Sequence, residues 1–284
     1  AMTFSATASS ILYNDLIPVF VDSDPITLGI SLEDLYKKYD KDCVAVMPVH
    51  YSGHPVPMDK LVLWAKERNL KIIEDCAHTT GSNYKGKNLG TWGNIGCFSF
   101  EEKKLLTTGD GGMICSDDSE LLKDVKAMRW VGIDKDNWKT AQDYTEINKD
   151  AYHWFYELNV LGWKYNMNDL AASIGLAQLE KLPAMNKRRS EIILKYLEGI
   201  KDLKTIIPLL PYQPDKYVYQ MFGIRSNSKD DLILFLKSKG IATGCHYTPL
   251  TMQPLFKPYS SPCPVAEKEY YKMKDSIASI ESNK

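Results

Sequence analysis

At 284 residues the chain is long enough to bury one large core, or one large and one small. Hydrophobic residues make up 44% and charged residues 25%, the composition of a folded globular protein, which excludes the disordered and fibrous classes. A formal net charge of −1 removes any chain-wide footprint for nucleic acid or an acidic membrane, and apolar runs such as residues 44–49 are too short to span a bilayer.

Taken in chain order, residues 17–21 and 43–49 read as buried strands, rich in Val and bounded by Pro and Asp. Residues 58–69 predict a helix ending at Asn69, and residues 71–73 a strand that runs out at Glu74 and Asp75. Residues 95–100 and 112–115 are two further short strands around a polar loop, followed by a helix over 119–130. Strands separated by helices predict an α/β fold, a mostly parallel sheet with helices on both faces. Residues 134–157 are polar and aromatic without a period, and residues 152–156 read as part of an excursion that covers a site or a partner. Residues 168–182 predict an amphipathic helix with Leu170, Ile174, Ala177 and Leu179 near one face; Pro183 marks a break, and 187–200 a second helix. After Pro208, Pro211 and Pro214 come a strand (217–224), a helix (229–239) stopped by Gly240, and a strand (241–247). The expected division is a large domain over 1–183 and a smaller C-terminal α+β domain over 184–284.

Two stretches could carry chemistry. Glu74-Asp-Cys-Ala-His78 places a carboxylate and an imidazole at the end of a predicted parallel strand, the edge of an open α/β sheet where ligands bind. Asp75 equally suits a turn or helix cap, and His78 a satisfied polar residue. Lys103 and Lys104 lie in the loop between two apolar strands, ahead of Thr107-Thr-Gly-Asp-Gly-Gly112, whose glycines let the backbone approach a ligand closely. The plain readings are solvated lysines and a simple Asp-Gly-Gly turn. The six cysteines are scattered, with no C-x-x-C pair and no Cys/His cluster; this argues against a metal site or a disulfide framework and for a reducing, cytoplasmic setting. No G-x-G-x-x-G follows a predicted strand, which disfavours a nicotinamide oxidoreductase.

Taken together, these pieces form a pattern. Met2-Thr-Phe-Ser-Ala-Thr7, Pro18-Val-Phe-Val-Asp22, Met47-Pro-Val-His-Tyr-Ser-Gly-His-Pro55, Ile73-Glu-Asp-Cys-Ala-His78, Phe98-Ser-Phe100, Thr107-Thr-Gly-Asp-Gly-Gly-Met113, the run from Gly162 to Leu179 and Gly244-Cys-His-Tyr-Thr-Pro-Leu250 occur in an order and spacing that resembles the DegT/DnrJ-type family of sugar aminotransferases. Gly162-Trp-Lys-Tyr-Asn166 and Asp75-Cys-Ala-His78 are similar to members forming 4-amino-4-deoxy-L-arabinose or perosamine.

The resemblance implies a fold-type I architecture and pyridoxal 5'-phosphate as cofactor, with Lys104 holding it as a Schiff base. It implies that Asp75 binds the pyridine nitrogen and that His78 contacts the phenolic oxygen. Phe4 would stack on the ring and Ser99 bond the phosphate. Lys164 would reach the phosphate of a neighbouring subunit, so a homodimer with shared active sites is expected. The substrates implied are a nucleotide-linked keto-sugar and an amino-acid donor, taken as glutamate, with no nucleic acid or membrane as partner. A relative that dehydrates its substrate carries histidine where Lys104 stands, which favours transamination here. Three departures accompany the match. An upstream Gly-Thr phosphate motif and a closing Ser-Leu-Pro stretch are missing, and Glu101-Glu102 replaces a frequent His-Pro. The expectation is an enzyme shortened at both ends; the competing expectation is a catalytically silent homologue or fragment that keeps the fold as a binding or assembly unit.

Overall fold

The computed structural model describes residues 1–133, 158, 160–272 and 277–278. The predicted segment 152–156 and the tail beyond residue 278 lie outside these residues.

The chain begins with helix α1 (Ser5–Leu12), an extended stretch, and helix α2 (Leu32–Lys38), whose N-cap Ser31 accepts from the Asp34 N–H. The main sheet follows. Strand β1 (Ala45–Val46) leads through helix α3 (Met58–Glu67) to β2 (Lys71–Asp75). A small antiparallel hairpin, β3 (Asn83–Tyr84) and β4 (Lys87–Asn88), precedes β5 (Ile95–Ser99) and β6 (Gly112–Cys115). Sheet order is β1-β2-β5-β6; β1, β2 and β5 run parallel, and β6 is antiparallel to β5. The expected mostly parallel α/β sheet is therefore present. Helix α4 (Ser119–Met128) is capped by Asp118, which accepts from the N–H groups of Glu120 and Leu121.

The expected break at Pro183 does not occur. One helix, α5 (Asp169–Ile200), runs through it, with Asn168 as N-cap. A mid-helix proline removes one hydrogen bond and costs about 3 kcal/mol in isolation. Here Leu182, Asn186 and Ile193, on either side of it, are buried against the body of the protein, and that packing outweighs the local preference. The helix also crosses residue 184, where the second domain was expected to begin.

Beyond α5 come β7 (Ile206–Pro208), β8 (Phe222–Ser226), helix α6 (Lys229–Ser238), helix α7 (Pro264–Lys272) and β9 (Ile277–Ala278), with β7, β8 and β9 forming an antiparallel sheet. Three expected strands are absent or displaced. Residues 17–21 are extended but unladdered, and the Phe20 carbonyl is satisfied by Lys38 Nζ at 2.9 Å and Ser261 Oγ at 2.8 Å. The strand expected from 217 starts at Phe222, because Val218 and Gln220 donate their N–H groups to Ser82 Oγ and the Ser52 carbonyl. Residues 241–247 form a loop.

The cores explain how this places a site. One cluster joins α3 to the sheet through Val46, Leu61, Ala65, Ile72 and Cys76. A second draws Met2, Ala8, Phe20 and Tyr51 together with Ile193, Tyr219, Phe222 and Phe256. The amino-terminal segment and the 244–256 region thus close over the carboxyl end of β2.

Candidate active site

Glu74 and Asp75 close β2, and as consecutive strand residues they face opposite ways. Glu74 is fully buried and accepts from the backbone N–H groups of Gly90, Trp92 and Gly93 at 2.7–2.9 Å and from His50 Nε2 at 3.2 Å. Burial pushes its carboxyl up, but the His50 bond and the Gly93 and Gly90 N–H groups outweigh this and hold it below its ordinary range. His50, Glu74 and Cys76 offer ligand atoms within 4.8 Å of one another. Those atoms are spent internally: His50 Nδ1 accepts the Val56 N–H at 3.2 Å, so its Nε2 carries the proton facing Glu74, and burial raises the Cys76 thiol.

Asp75 points the other way and is only half-buried. Its Oδ2 accepts from Thr7 Oγ1 at 2.8 Å and its Oδ1 from the Ala77 N–H at 3.1 Å. Thr7 is in turn 2.8 Å from Thr3 Oγ1. A carboxylate offers about four acceptor positions, so two remain for a further donor.

Lys104 sits in the β5–β6 connection. The next two residues, Leu105 and Leu106, are 1% and 4% exposed and pack with Phe100 and Leu182 of α5, which anchors the loop immediately after the lysine. Lys104 is half-buried, whereas Lys103 is exposed and uses its carbonyl to accept from Gln220 Nε2. Burial lowers the Lys104 pKa, against the opposing pull of Glu101 and Asp75. Among the described residues its Nζ has no hydrogen-bond or ion-pair partner. Tyr247 joins His78, 3.2 Å away, to its neighbour His246, whose ring is 5.0 Å from its own, and the Lys104 charge acts on both histidines as that of Asp75 acts on Lys104.

His78 is buried, and its pKa is pushed down to about 3, first by burial, then by Lys104 and His246. Its Nδ1 accepts the Ser52 N–H and its Nε2 lies 3.2 Å from Tyr247 Oη. Neither Tyr247 nor Thr7 was given a role from the sequence, although both lie in stretches that carry the family resemblance. The same holds for His246, whose Nδ1 is buried without a partner among the described residues.

The remaining sequence-predicted residues fall at different distances from this group. Ser99 ends β5, beside β2 at the same sheet edge, and its Oγ accepts from the Glu101 N–H at 3.4 Å. Phe4 is the N-cap of α1, exposed, with its ring 6.2 Å from that of Tyr247. Lys164 is not brought to this group within this chain. It is exposed, bonds Asn166 Oδ1 and lies 5.8 Å over the Trp130 ring.

Comparison with known proteins adds to this geometry. The profile described as the DegT/DnrJ/EryC1/StrS aminotransferase family matches residues 1–275. An uncharacterized protein of Methanocaldococcus jannaschii is 37% identical over 261 residues, covering 90% of this chain and 66% of its own. The GDP-perosamine synthase of Escherichia coli O157:H7 is 33% identical over 272 residues, covering 94% and 69%. Among solved structures, Helicobacter pylori PseC, described as an aminotransferase involved in the biosynthesis of pseudoaminic acid, shares a TM-score of 0.85 at 27% identity over 98% of this chain and 71% of that one. The chain thus spans about two thirds of the length of the curated relatives it matches. The architecture is that of the fold-type I sugar aminotransferases. With the Asp75 and Lys104 loops both inside a match that begins at residue 1 and ends at residue 275, the chain belongs to the DegT/DnrJ/EryC1/StrS aminotransferase family.

Proposed function

We propose that the protein is a pyridoxal 5'-phosphate-dependent aminotransferase that moves an amino group from an amino-acid donor, taken as glutamate, to the ketone of a nucleotide-linked keto-sugar. The observation that carries this reading is Lys104: a half-buried amine of lowered pKa, without a partner among the described residues, within electrostatic reach of Asp75, a carboxylate that has spare acceptor capacity. The two relatives named as a GDP-perosamine synthase and as an aminotransferase of pseudoaminic acid biosynthesis support a sugar as acceptor.

The residues suit the cofactor. Asp75 would hold a proton on the pyridine nitrogen, with its carboxylate oriented by Thr7 and Ala77. Lys104 would anchor the cofactor and, once displaced by substrate, take a proton from the donor's α-carbon; a neutral amine is needed for both tasks, and burial favours it. Ser99 would donate to the phosphate and Phe4 would cover one face of the ring. When bound, pyridoxal phosphate supplies the electron sink for the charge left on that carbon.

Lys164 would act on the site of a second subunit. Leu161, Tyr165, Leu170, Ile174 and Leu176 near it are exposed, which supports a homodimer whose contact lies on this face. The six free cysteines support a reducing, cytoplasmic setting, and among the described residues no helix is long and apolar enough to cross a membrane.

The test is to add pyridoxal phosphate, reduce with borohydride and sequence the modified peptide. The expected adduct is on Lys104, with visible absorbance before reduction. An adduct on Lys103 or elsewhere overturns the site, and no visible band supports a catalytically silent protein instead.

A further inference from the structure

The proposed reaction asks Lys104 to hold the cofactor, leave it and return, so the backbone that carries the lysine must stay fixed while the side chain moves. The peptide group joining Lys103 to Lys104 is held at both ends. The Lys104 N–H donates to the Glu101 carbonyl at 3.0 Å, and the Lys103 carbonyl accepts from Gln220 Nε2. Glu101 Oε2 also accepts the Lys103 N–H at 3.1 Å. The Glu101 bonds arise within the β5–β6 connection, whereas the Gln220 bond reaches across 117 positions of sequence.

Gln220 is a firmly mounted donor. It lies between Tyr219 and Met221, 2% and 5% exposed, just before β8. Its N–H donates to the Ser52 carbonyl at 2.8 Å, and Ser52 Oγ donates to the Met221 carbonyl at 2.9 Å. The Ser52 N–H in turn donates to His78 Nδ1 at 3.2 Å. Gly53, with φ 95, lets the turn press this closely: a Cβ there would fall 2.9 Å from the His78 carbonyl oxygen and closer still to that of Val218. A continuous path of hydrogen bonds, from His78 through Ser52 and Gln220 to Lys103, therefore ties the loop after β2 to the peptide that bears Lys104.

The other end of the Gln220 amide bears on what this bond is for. Its Oε1 is buried and has no partner among the described residues. A buried acceptor left unpaired is destabilising, so stability does not account for a glutamine here. Turning the amide over would set Oε1 against the Lys103 carbonyl oxygen, acceptor against acceptor, which fixes its orientation.

We propose that Gln220 is a positioning residue for the reaction: its amide clamps the Lys103–Lys104 peptide to the 51–53 turn and so fixes the root of the Lys104 side chain relative to His78. The inference rests on the proposed function. Lys104 Nζ has no partner of its own among the described residues, so its place is set through the backbone, by Gln220, by Glu101 and by the packing of Leu105 and Leu106.

Three variants of the full chain test this. Gln220→Met keeps the length and removes the donor. Gln220→Glu keeps the shape and, ionised at neutral pH, also lacks an N–H, so either variant serves if the other fails to fold. Gln220→His returns a ring N–H at the same reach. Without cofactor, NMR of Gln220→Met and Gln220→Glu should show the Lys103 carbonyl and Lys104 amide signals moved, and Lys104 N–H exchange faster by about tenfold. With cofactor and glutamate, both should lose about tenfold in the saturated rate of the half-reaction with KM little changed, and Gln220→His should recover most of that loss. A merely structural role would lower the urea midpoint and leave the rate alone. Unmoved Lys103 and Lys104 signals, an unchanged rate, or a loss that Gln220→His does not recover overturns the inference and leaves the function standing. A wild-type protein that forms no adduct on Lys104 overturns both.

Discussion

Around the end of β2, polar groups are held from several sides by their own chain: Glu74 by three backbone N–H groups and His50, Asp75 by Thr7 and Ala77, His78 by Ser52 and Tyr247. Near Lys164 the situation is reversed. Leu161 is 86% exposed and Leu170 80%, and the lysine itself rests on the surface beside Trp130. Networks satisfied in this way over-determine a geometry, as a chemical site requires. A contiguous exposed apolar face is instead what a partner surface requires. The contrast divides the proposed site into a part that one chain completes and a part that a second chain would finish.

The contrast can be broken most severely at Lys104. Lys104→Ala should abolish the covalent adduct and reduce amino transfer to background, with the fold unchanged because Nζ has no partner among the described residues. Circular dichroism and single-turnover kinetics with glutamate check both halves, and residual transfer would remove the lysine from its role.

Next come the two carboxylates of β2, whose roles should separate. Asp75→Asn should slow the half-reaction with glutamate by about a hundredfold or more while shifting the melting temperature little, because a neutral amide cannot stabilise the ring proton. Glu74→Gln should lose about 2 kcal/mol of stability, since the amide NH2 faces backbone donors that the carboxylate had satisfied. A near-normal rate in Asp75→Asn, or an unchanged urea midpoint in Glu74→Gln, would erase the distinction between them.

Lys164 sharpens the comparison between the two regions. Equal amounts of inactive Lys164→Ala and Lys104→Ala chains, allowed to exchange subunits, should regain about a quarter of wild-type sites in hybrid dimers. Demonstrated exchange without recovered activity would place Lys164 outside the site.

The last expected effect is on pH. Burial lowers the His78 pKa to about 3 and the His54 pKa to about 4, from an ordinary value of 6.5. The unfolded chain therefore binds protons that the folded chain refuses. Stability should be intact above about pH 6.5 and fall below it, by about 1.4 kcal/mol per pH unit for each histidine. Urea midpoints at pH 7 and pH 5 measure this, and equal values would show that neither ring is kept neutral by the fold.

Much of the local structure was legible in the sequence because its causes are local. Strand β6 lies at its predicted bounds, α4 and α6 begin where predicted, and α6 stops before Gly240, which has φ 75. Capping, period and glycine conformation act within a few residues. The candidate site was legible as an ordered set of motifs: Asp75, His78 and Lys104 were singled out, and Lys104 lies within electrostatic reach of the other two. Thr7, Tyr247 and His246 were not singled out, because an isolated hydroxyl or imidazole carries no period and acquires meaning only from what it touches.

By itself, then, the sequence determined the α/β alternation, the family pattern and the loop residues available for chemistry. Tertiary structure alone decided that residues 17–21 find side chains instead of a strand, that α5 passes through Pro183, that Glu74 is spent on the fold while Asp75 is left with acceptor positions, and which nitrogen of His78 carries the proton. Each of these outcomes depends on partners distant in the chain, such as Lys38 and Ser261 for Phe20, Gly93 for Glu74 and Ser52 for His78. A balance of a few kcal/mol between local preference and distant packing settles such choices, and no short window of sequence contains both sides of it.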